Sequence, residues 1–194
     1  MKINDQQNEE RILAKTSELL SRHGIRGWNM DELAAEAGLA KNTLYRIIVS
    51  KEKLIEQVVM GYSLRALSRV NEIIDRENNY LEALAAVAAE FSEDRNILYA
   101  DFLEDVFLEY PGIEKTIQSH RDEMTARITD FIWRGVTMGY LKKDVHPEFV
   151  FEIVMAISLF FIKSGFKGKD LSDRIHEGLL CLLYGIVQQQ GVSD

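Results

Sequence analysis

Cysteine is almost absent from this sequence, which excludes a disulfide framework. The single Cys181 lies in the apolar stretch GLLCLLYG, where we expect a buried thiol. Long apolar runs are also missing: FVFEIVMAISLFFI has fourteen residues and contains Glu152, so it is too short and too charged for a membrane span. The N-terminus has no apolar core, so we expect no signal peptide. These absences fit a protein of the reducing cytoplasm.

An excess of positive charge is missing as well, since the formal net charge is −8. Phosphate binding depends mainly on Lys and Arg, so this balance argues at first against nucleic acid. The charge is unevenly distributed, however. Residues 1–60 contain nine basic and nine acidic side chains, so the whole negative excess lies in residues 61–194. The N-terminal part therefore permits a nucleic-acid surface.

Strand patterns are absent too, because no segment alternates apolar and polar residues for long enough. Apolar residues recur instead at steps of three and four, as in Leu54, Val58 and Tyr62, which is typical of helices. Turn signals are sparse and divide the chain into about nine helical segments. We predict an all-α fold: a three-helix unit over residues 1–50 and a larger helical bundle over residues 51–194.

The stretch MDELAAEAGLAKNTLYR predicts two helices joined by a tight turn. Asn29 is a typical N-cap residue with Glu32 three positions later, so a helix is expected to begin there. Gly38 can end that helix in the left-handed conformation without a Cβ penalty. The arrangement is that of a helix-turn-helix. Its shared core is predicted to contain Leu33, Ala37, Leu39, Leu44 and Ile47.

The second of these helices is predicted to present only hydrogen-bond donors to solvent. Such side chains can donate to phosphate oxygens and reach base edges in the major groove. Ser50 is expected to cap the next helix, with Lys51 in its first turn as a further anion-binding group. The alternative is an ordinary packing unit with a solvated polar face. The outward donors are Lys41, Asn42, Thr43, Tyr45 and Arg46.

Residues 10–60 resemble the N-terminal domain of the tetracycline-repressor (TetR) family of bacterial transcriptional regulators. The resemblance rests on RILAKTSELLSRHG, MDELAAEAG, TLYR and SKEKL, in this order and without a gap. It implies an all-helical homodimer with a C-terminal domain for dimerisation and ligand binding, which represses genes until a small molecule binds. A palindromic operator follows from such two-fold symmetry. The resemblance implies DNA contacts by Asn29, Lys41, Asn42, Thr43, Tyr45, Arg46 and Lys51, with Tyr45 on a backbone phosphate.

Three positions depart from the family pattern. Ala40 stands where the family often has a Ser or Thr cap, a change that typically costs about 1 kcal/mol. Ile47 replaces an aromatic residue or His that often touches phosphate, and Ile48 replaces a common Phe. Both isoleucines suit a helix core, so the expected fold is unaffected. The departures keep open a rival interpretation, a helical ligand-binding or interaction protein without specific DNA binding.

His120 is the most unusual polar residue of the C-terminal part. It shares a helical stripe with Ile117, Met124 and Phe131, so it is expected to face an apolar interior. It is then either a core histidine with a hydrogen-bonded neighbour or a polar group inside a ligand pocket. The candidate ligand-binding residues are Phe102, His120, Met124 and Phe131.

The last two helices, over about residues 147–164 and 171–189, are the richest in large apolar side chains. The stretch LLCLLYGIV is apolar on nearly every side, so this helix is either buried or faces another molecule. In the family the last two helices form the dimer interface, to which the resemblance assigns Gly178, Leu182, Gly185 and Ile186.

Catalysis has little support in the sequence. The four histidines lie far apart, and only Asp173 and His176 resemble half of a metal site in a helical bundle. A solvated helix face is the preferred explanation of that pair. We therefore expect no catalytic residue, no metal and no cofactor.

Overall fold

The computed structural model describes residues 3–93, 103–166 and 168–188, with side chains from residue 6 onward. Within these ranges the chain forms nine helical segments and no strand, apart from one isolated bridge between Leu141 and Val187. The predicted all-α fold is therefore confirmed. The helices are α1 (Ile3–His23), α2 (Met30–Glu36), α3 (Lys41–Ile47), α4 (Lys51–Asp75), α5 (Tyr80–Phe91), α6 (103–109), α7 (Pro111–Thr137), α8 (Pro147–Lys163) and α9 (Gly168–Ile186).

The chain divides into two compact units. Unit 1 comprises Met1–Ser63 and Phe102–Gln118, and unit 2 comprises Leu64–Asp101 and Ser119–Asp194. Helices α4 and α7 each contribute residues to both units. The predicted functional boundary after residue 50 stays a prediction. None of the described helices combines the length and apolarity that a membrane span requires.

Unit 1 is built on the first helices of the chain. Helix α1 packs against α2, and α2 packs against α3. Ile12, Leu33 and Leu44 are each 0% exposed, and burying a side chain of this size contributes about 1.5–3 kcal/mol. The hydroxyl groups of Ser17 and Tyr62 lie 2.5 Å apart and connect α1 to α4. This core holds the short helices α2 and α3 in place, because seven residues form no stable helix alone.

Unit 2 has an aromatic centre. The ring of Tyr80 stacks between those of Phe131 and Tyr140, with centroid distances of 4.7 and 4.9 Å. Its hydroxyl donates to the carbonyl oxygen of Phe131 at 3.3 Å, and burial raises the pKa of Tyr80, so this donor stays protonated. A Cβ on Gly135 would overlap the Tyr80 hydroxyl group, so only glycine fits there. Helices α5 and α8 both pack against α9.

Candidate nucleic-acid interface

Helix α3 carries the side chains that the sequence predicts for DNA contact. Leu44 is fully buried and fixes the inner face of the helix. On the outer face Lys41, Asn42, Tyr45 and Arg46 are exposed and Thr43 is half-buried, and α3 contains no acidic residue. Ala40 precedes the helix with an extended backbone and makes no side-chain cap hydrogen bond, as its residue type requires. The outer face of α3 therefore offers donors, and none of its own side chains is a carboxylate.

The link between α2 and α3 is set by its backbone hydrogen bonds. Gly38 adopts φ +62°, the left-handed conformation that the sequence predicts for it. The N–H group of Leu39 donates to the Ala34 carbonyl at 2.9 Å, and that of Gly38 donates to the Ala35 carbonyl at 3.1 Å. These two bonds form a Schellman motif. The motif ends α2 and fixes the direction in which α3 begins.

Asn29 caps α2 as predicted. Its Oδ1 atom accepts hydrogen bonds from the backbone N–H groups of Asp31 and Glu32, both at 3.0 Å. The carboxylates of these two residues stand at the positive end of the helix dipole, which stabilises them there. Asn29 itself is exposed. Because Oδ1 is used by the cap, the amide nitrogen is the group that Asn29 can offer to a phosphate oxygen.

Lys41 is engaged in an ion pair on the protein surface. Its Nζ atom lies 2.5 Å from Oδ2 of Asp31, and both side chains are more than half exposed. An exposed pair of this kind contributes only about 0–1 kcal/mol. Exchange of the Asp31 carboxylate for a DNA phosphate therefore costs little, so the pair is compatible with a DNA-contacting Lys41.

Lys51, in contrast, points into the protein. Its Nζ atom donates to the backbone carbonyl of Trp28 at 2.6 Å and lies 4.0 Å from the centroid of the Trp28 ring. Burial lowers the pKa of Lys51, while the nearby carboxylates of Glu109 and Glu32 act in the opposite direction. Ser50 caps α4 as predicted, with its Oγ atom accepting from the Lys53 N–H group at 3.1 Å. The start of α4 is thus ordered by both residues.

Comparisons with known proteins agree with this arrangement. The family described as bacterial regulatory proteins, tetR family, matches residues 12–58. The transcriptional repressor KstR2 of Mycobacterium tuberculosis is 21% identical over 199 residues, which cover 98% of this chain and 96% of KstR2. The chain belongs to the TetR family. It is accordingly a DNA-binding transcriptional regulator, which decides against the rival interpretation.

Solved structures of other transcriptional regulators share the fold of nearly the whole chain. The ketosteroid transcriptional regulator KstR2 of Mycobacterium tuberculosis superposes with a TM-score of 0.74 at 17% identity, covering 93% of this chain and 95% of that one. A transcriptional regulator from Saccharomonospora viridis in complex with choline gives a TM-score of 0.81 at 16% identity, covering 95% and 100%. At these identities the likeness describes the fold and leaves the ligand open.

The candidate ligand residues of this TetR regulator fall into different surroundings. Phe131 is 0% exposed and belongs to the aromatic core of unit 2, and Met124 packs at the edge of the same core. His120 is half-buried, and its Nδ1 atom is buried without a hydrogen-bond partner among the described residues. Phe102 lies outside the described residues. The structure thus brings Met124 and Phe131 together, and the four remain candidates.

A surface groove of about 520 Å³ lies on a different side of α7. His120, Met124 and Phe131 do not line it. Its lining consists of Asp122, Thr125, Ala126, Thr129, Asp130, Trp133, Pro147 and Glu148. Among the residues that the structure describes, no three His, Cys, Asp or Glu side chains lie close enough to hold a metal ion.

The candidate dimer residues lie on α9. A Cβ on Gly178 would be 2.9 Å from Ile157 Cγ2 of the same chain, so this glycine permits close packing of α9 on α8. Leu182 and Ile186 pack against the core of unit 2, whereas a Cβ on Gly185 would meet no described atom within 4 Å. These four assignments stay predictions. Of the four, Gly185 is the position open to a partner in this protomer.

Sequence reasoning expected the last helix to be buried or to face another molecule, but it did not name the residues of the outward apolar face of α8 and α9, which we call the α8–α9 face. It consists of Phe149, Leu159, Phe160, Cys181 and Tyr184, all of them exposed. The expectation of a buried Cys181 thiol is therefore wrong for the single protomer. The reason is that α9 carries more apolar side chains than its own chain covers. The signal was present in the sequence, as an apolar pattern on nearly every side of the helix.

Proposed function

We propose that this TetR regulator is a homodimeric repressor, which binds a palindromic operator through α3 and leaves it when a small molecule binds unit 2. The observation that supports operator binding is the outer face of α3. That face offers exposed donors, α3 itself contains no acidic residue, and a Schellman motif fixes the direction of the helix. Since its target is the DNA of a bacterial cell, the protein acts in the cytoplasm.

The side chains of α3 fall into two groups, those that can contact base edges and those that can contact backbone phosphates. Lys41, Asn42 and Thr43 stand in its first turn, where side chains that enter the major groove contact base edges. Arg46 lies one turn further on and is suited to bidentate contact with guanine. Tyr45 is 52% exposed and offers a hydroxyl donor to a backbone phosphate. Asn29 adds a phosphate contact from the start of α2.

Two copies of α3 must read the operator together. In a two-fold dimer they enter major grooves about 34–36 Å apart, so the operator is a palindrome with half-sites one helical turn apart. The α8–α9 face supports this dimer, because its exposed aromatic side chains gain by leaving water. Residues 1–50 then carry the DNA contacts, and residues 51–194 carry dimerisation and ligand binding.

Selection from a random DNA duplex library, followed by sequencing, tests operator binding. We expect the wild-type protein to enrich a palindrome at about 100 mM salt, a concentration at which phosphate contacts still contribute strongly. Tyr45→Ala should enrich it far less. Leu108→Ala is the matched control, because it truncates another exposed side chain of unit 1 that does not lie on α3. Failure of the wild type to enrich any sequence would refute operator binding.

The effector is proposed to bind unit 2 beside His120, Met124 and Phe131. The buried Nδ1 atom of His120 supports this site, because it has no hydrogen-bond partner in the part of the chain that the structure describes and would gain free energy from a ligand hydrogen bond. The Saccharomonospora viridis regulator in complex with choline supports small-molecule binding as a class. A ligand that prefers one arrangement of unit 2 would shift α4, change the spacing of the two α3 helices, and lower operator affinity.

A compound screen by thermal shift tests the effector site. A compound that stabilises the wild-type protein should release it from the selected operator. It should stabilise His120→Phe less, because that variant keeps the ring volume and loses the nitrogen. Compounds that stabilise the protein without changing operator affinity would contradict induction by release.

A further inference from the structure

The contact between Lys51 and Trp28 joins two segments that flank the DNA-binding helices. Trp28 directly precedes Asn29, the cap of α2, and Lys51 directly follows Ser50, the cap of α4. The Lys51 Nζ atom contacts Trp28 twice, through the carbonyl oxygen at 2.6 Å and over the ring at 4.0 Å. The contact therefore fixes the beginning of α2 relative to the beginning of α4.

The Trp28 side chain is a fixed partner for Lys51, and we call this pair the Lys51–Trp28 clamp. It is only 4% exposed, so the indole ring is held by the interior of unit 1 and cannot swing away. A cation over a buried indole face is attracted more strongly than one at an exposed site, because less water competes. The hydrogen bond to the carbonyl is charge-assisted and therefore stronger than a neutral one.

We infer that Lys51 is a positioning residue for DNA binding. Through Trp28 it holds Asn29 and the start of α2 in place, and it does not contact a phosphate itself. This inference rests on the proposed operator binding. The geometry supports it, since one of the three N–H donors of the ammonium group is given to the Trp28 carbonyl and the group also lies over the Trp28 ring. Burial also lowers the pKa of Lys51, in keeping with an ammonium group drawn away from water.

The salt dependence of operator affinity separates the two roles. Each phosphate contact that is lost makes the slope of log K against log[salt] shallower by about 0.9, or about 1.8 for a dimer. Lys51→Met removes the ammonium group and keeps the apolar stem. For a positioning residue, we expect operator affinity to fall about tenfold with an unchanged slope. A slope that becomes shallower by about 1.8 would identify a phosphate contact and overturn the inference.

Lys53→Met is the matched control for this measurement. Lys53 stands in the same turn of α4 and is exposed, with its Nζ atom paired to Glu56 at 2.6 Å. The Lys53→Met variant should leave the order of α2 unchanged. Lys51→Arg keeps a cation that can donate to the carbonyl and stack on the ring, so it should restore most of the affinity.

Amide hydrogen exchange tests the clamp without DNA. The N–H groups of Asp31 and Glu32 are protected by Asn29, so loosening the start of α2 should speed their exchange. We expect faster exchange in peptides covering residues 29–36 of the full-length Lys51→Met protein, and no change in Lys53→Met. Unchanged exchange in Lys51→Met would overturn the inference. If the wild type selected no operator, the proposed function would fail, while this measurement would still decide whether Lys51 holds α2.

Discussion

The outer face of α3 and the α8–α9 face are both exposed, yet they differ in chemistry. The α3 face is polar, and its largest ring, Tyr45, carries a hydroxyl group. The α8–α9 face presents Phe149 and Phe160 at 60% and 65% exposure. Polar donors lose little by facing water, whereas large apolar rings gain by leaving it. Exposure alone therefore does not define a binding surface, and each face needs a partner of its own kind: DNA for one and, as proposed, a second copy of the chain for the other.

The largest effect is expected from Phe160→Asp, which places a carboxylate in the middle of the α8–α9 face. Burying that charge in an apolar interface costs several kcal/mol, so the dimer should weaken by at least about 100-fold. Sedimentation velocity over a range of concentrations would show a monomer where the wild type is a dimer. Val49→Asp is the control, because Val49 is 86% exposed but belongs to unit 1. If both variants keep the dimer mass, the interface lies elsewhere.

A second substitution tests the core that supports the α8–α9 face. In Gly135→Ala the new Cβ overlaps the Tyr80 hydroxyl, and the stacked rings of Phe131 and Tyr140 leave Tyr80 no room to move. Overpacking of this kind costs about 1–3 kcal/mol, which urea unfolding would detect.

Gly112→Ala is the matched control in the same helix. A Cβ on Gly112 meets nothing within 4 Å, and alanine is the better helix former by about 0.5–1 kcal/mol. We expect this variant to unfold at the same urea concentration as the wild type or a higher one. If Gly135→Ala unfolded at the same urea concentration as Gly112→Ala, the Tyr80 stack would be looser than its geometry indicates.

The alkylation rate of the Cys181 thiol also tests whether the α8–α9 face is covered, with a smaller expected effect. It is exposed in the single protomer and belongs to the α8–α9 face, so dimerisation should shield it. We expect alkylation about tenfold slower in the wild-type dimer than in Phe160→Asp, because a thiol reacts only where the reagent reaches it. The rate in the urea-unfolded chain gives the upper limit. Equal rates in dimer and monomer would exclude Cys181 from the interface.

The two faces also differ in how well the sequence predicts them. The helix-turn-helix depends on local signals, such as the Asn29 cap and the Gly38 turn, which act within a few residues of the chain. The Lys51–Trp28 contact joins residues that are far apart in sequence, so no local pattern reveals it. For α9 the apolar pattern indicates a buried helix but cannot tell whether its own chain or another molecule covers each side. Cys181 was misplaced for that reason.

The smallest expected effect concerns the polar face. Ala40→Ser introduces a hydroxyl at the N-cap of α3, where the backbone is already extended and no side chain caps the helix. A serine at an N-cap stabilises by about 0.5–1 kcal/mol relative to alanine. The protein should therefore unfold at a slightly higher urea concentration and bind its operator about twofold to fivefold more tightly, because a firmer start of α3 needs less ordering on DNA.

Ala35→Ser controls for the hydroxyl group itself, because Ala35 is exposed in the last turn of α2, where serine has no N-cap to make. It should lower stability slightly and leave operator affinity unchanged. If Ala40→Ser stabilises the protein but weakens operator binding, then the first-turn N–H groups of α3 contact the DNA directly and the added hydroxyl competes with phosphate for them. Alanine at position 40 would then belong to the DNA-binding surface, and its departure from the family pattern would be a functional feature of this regulator.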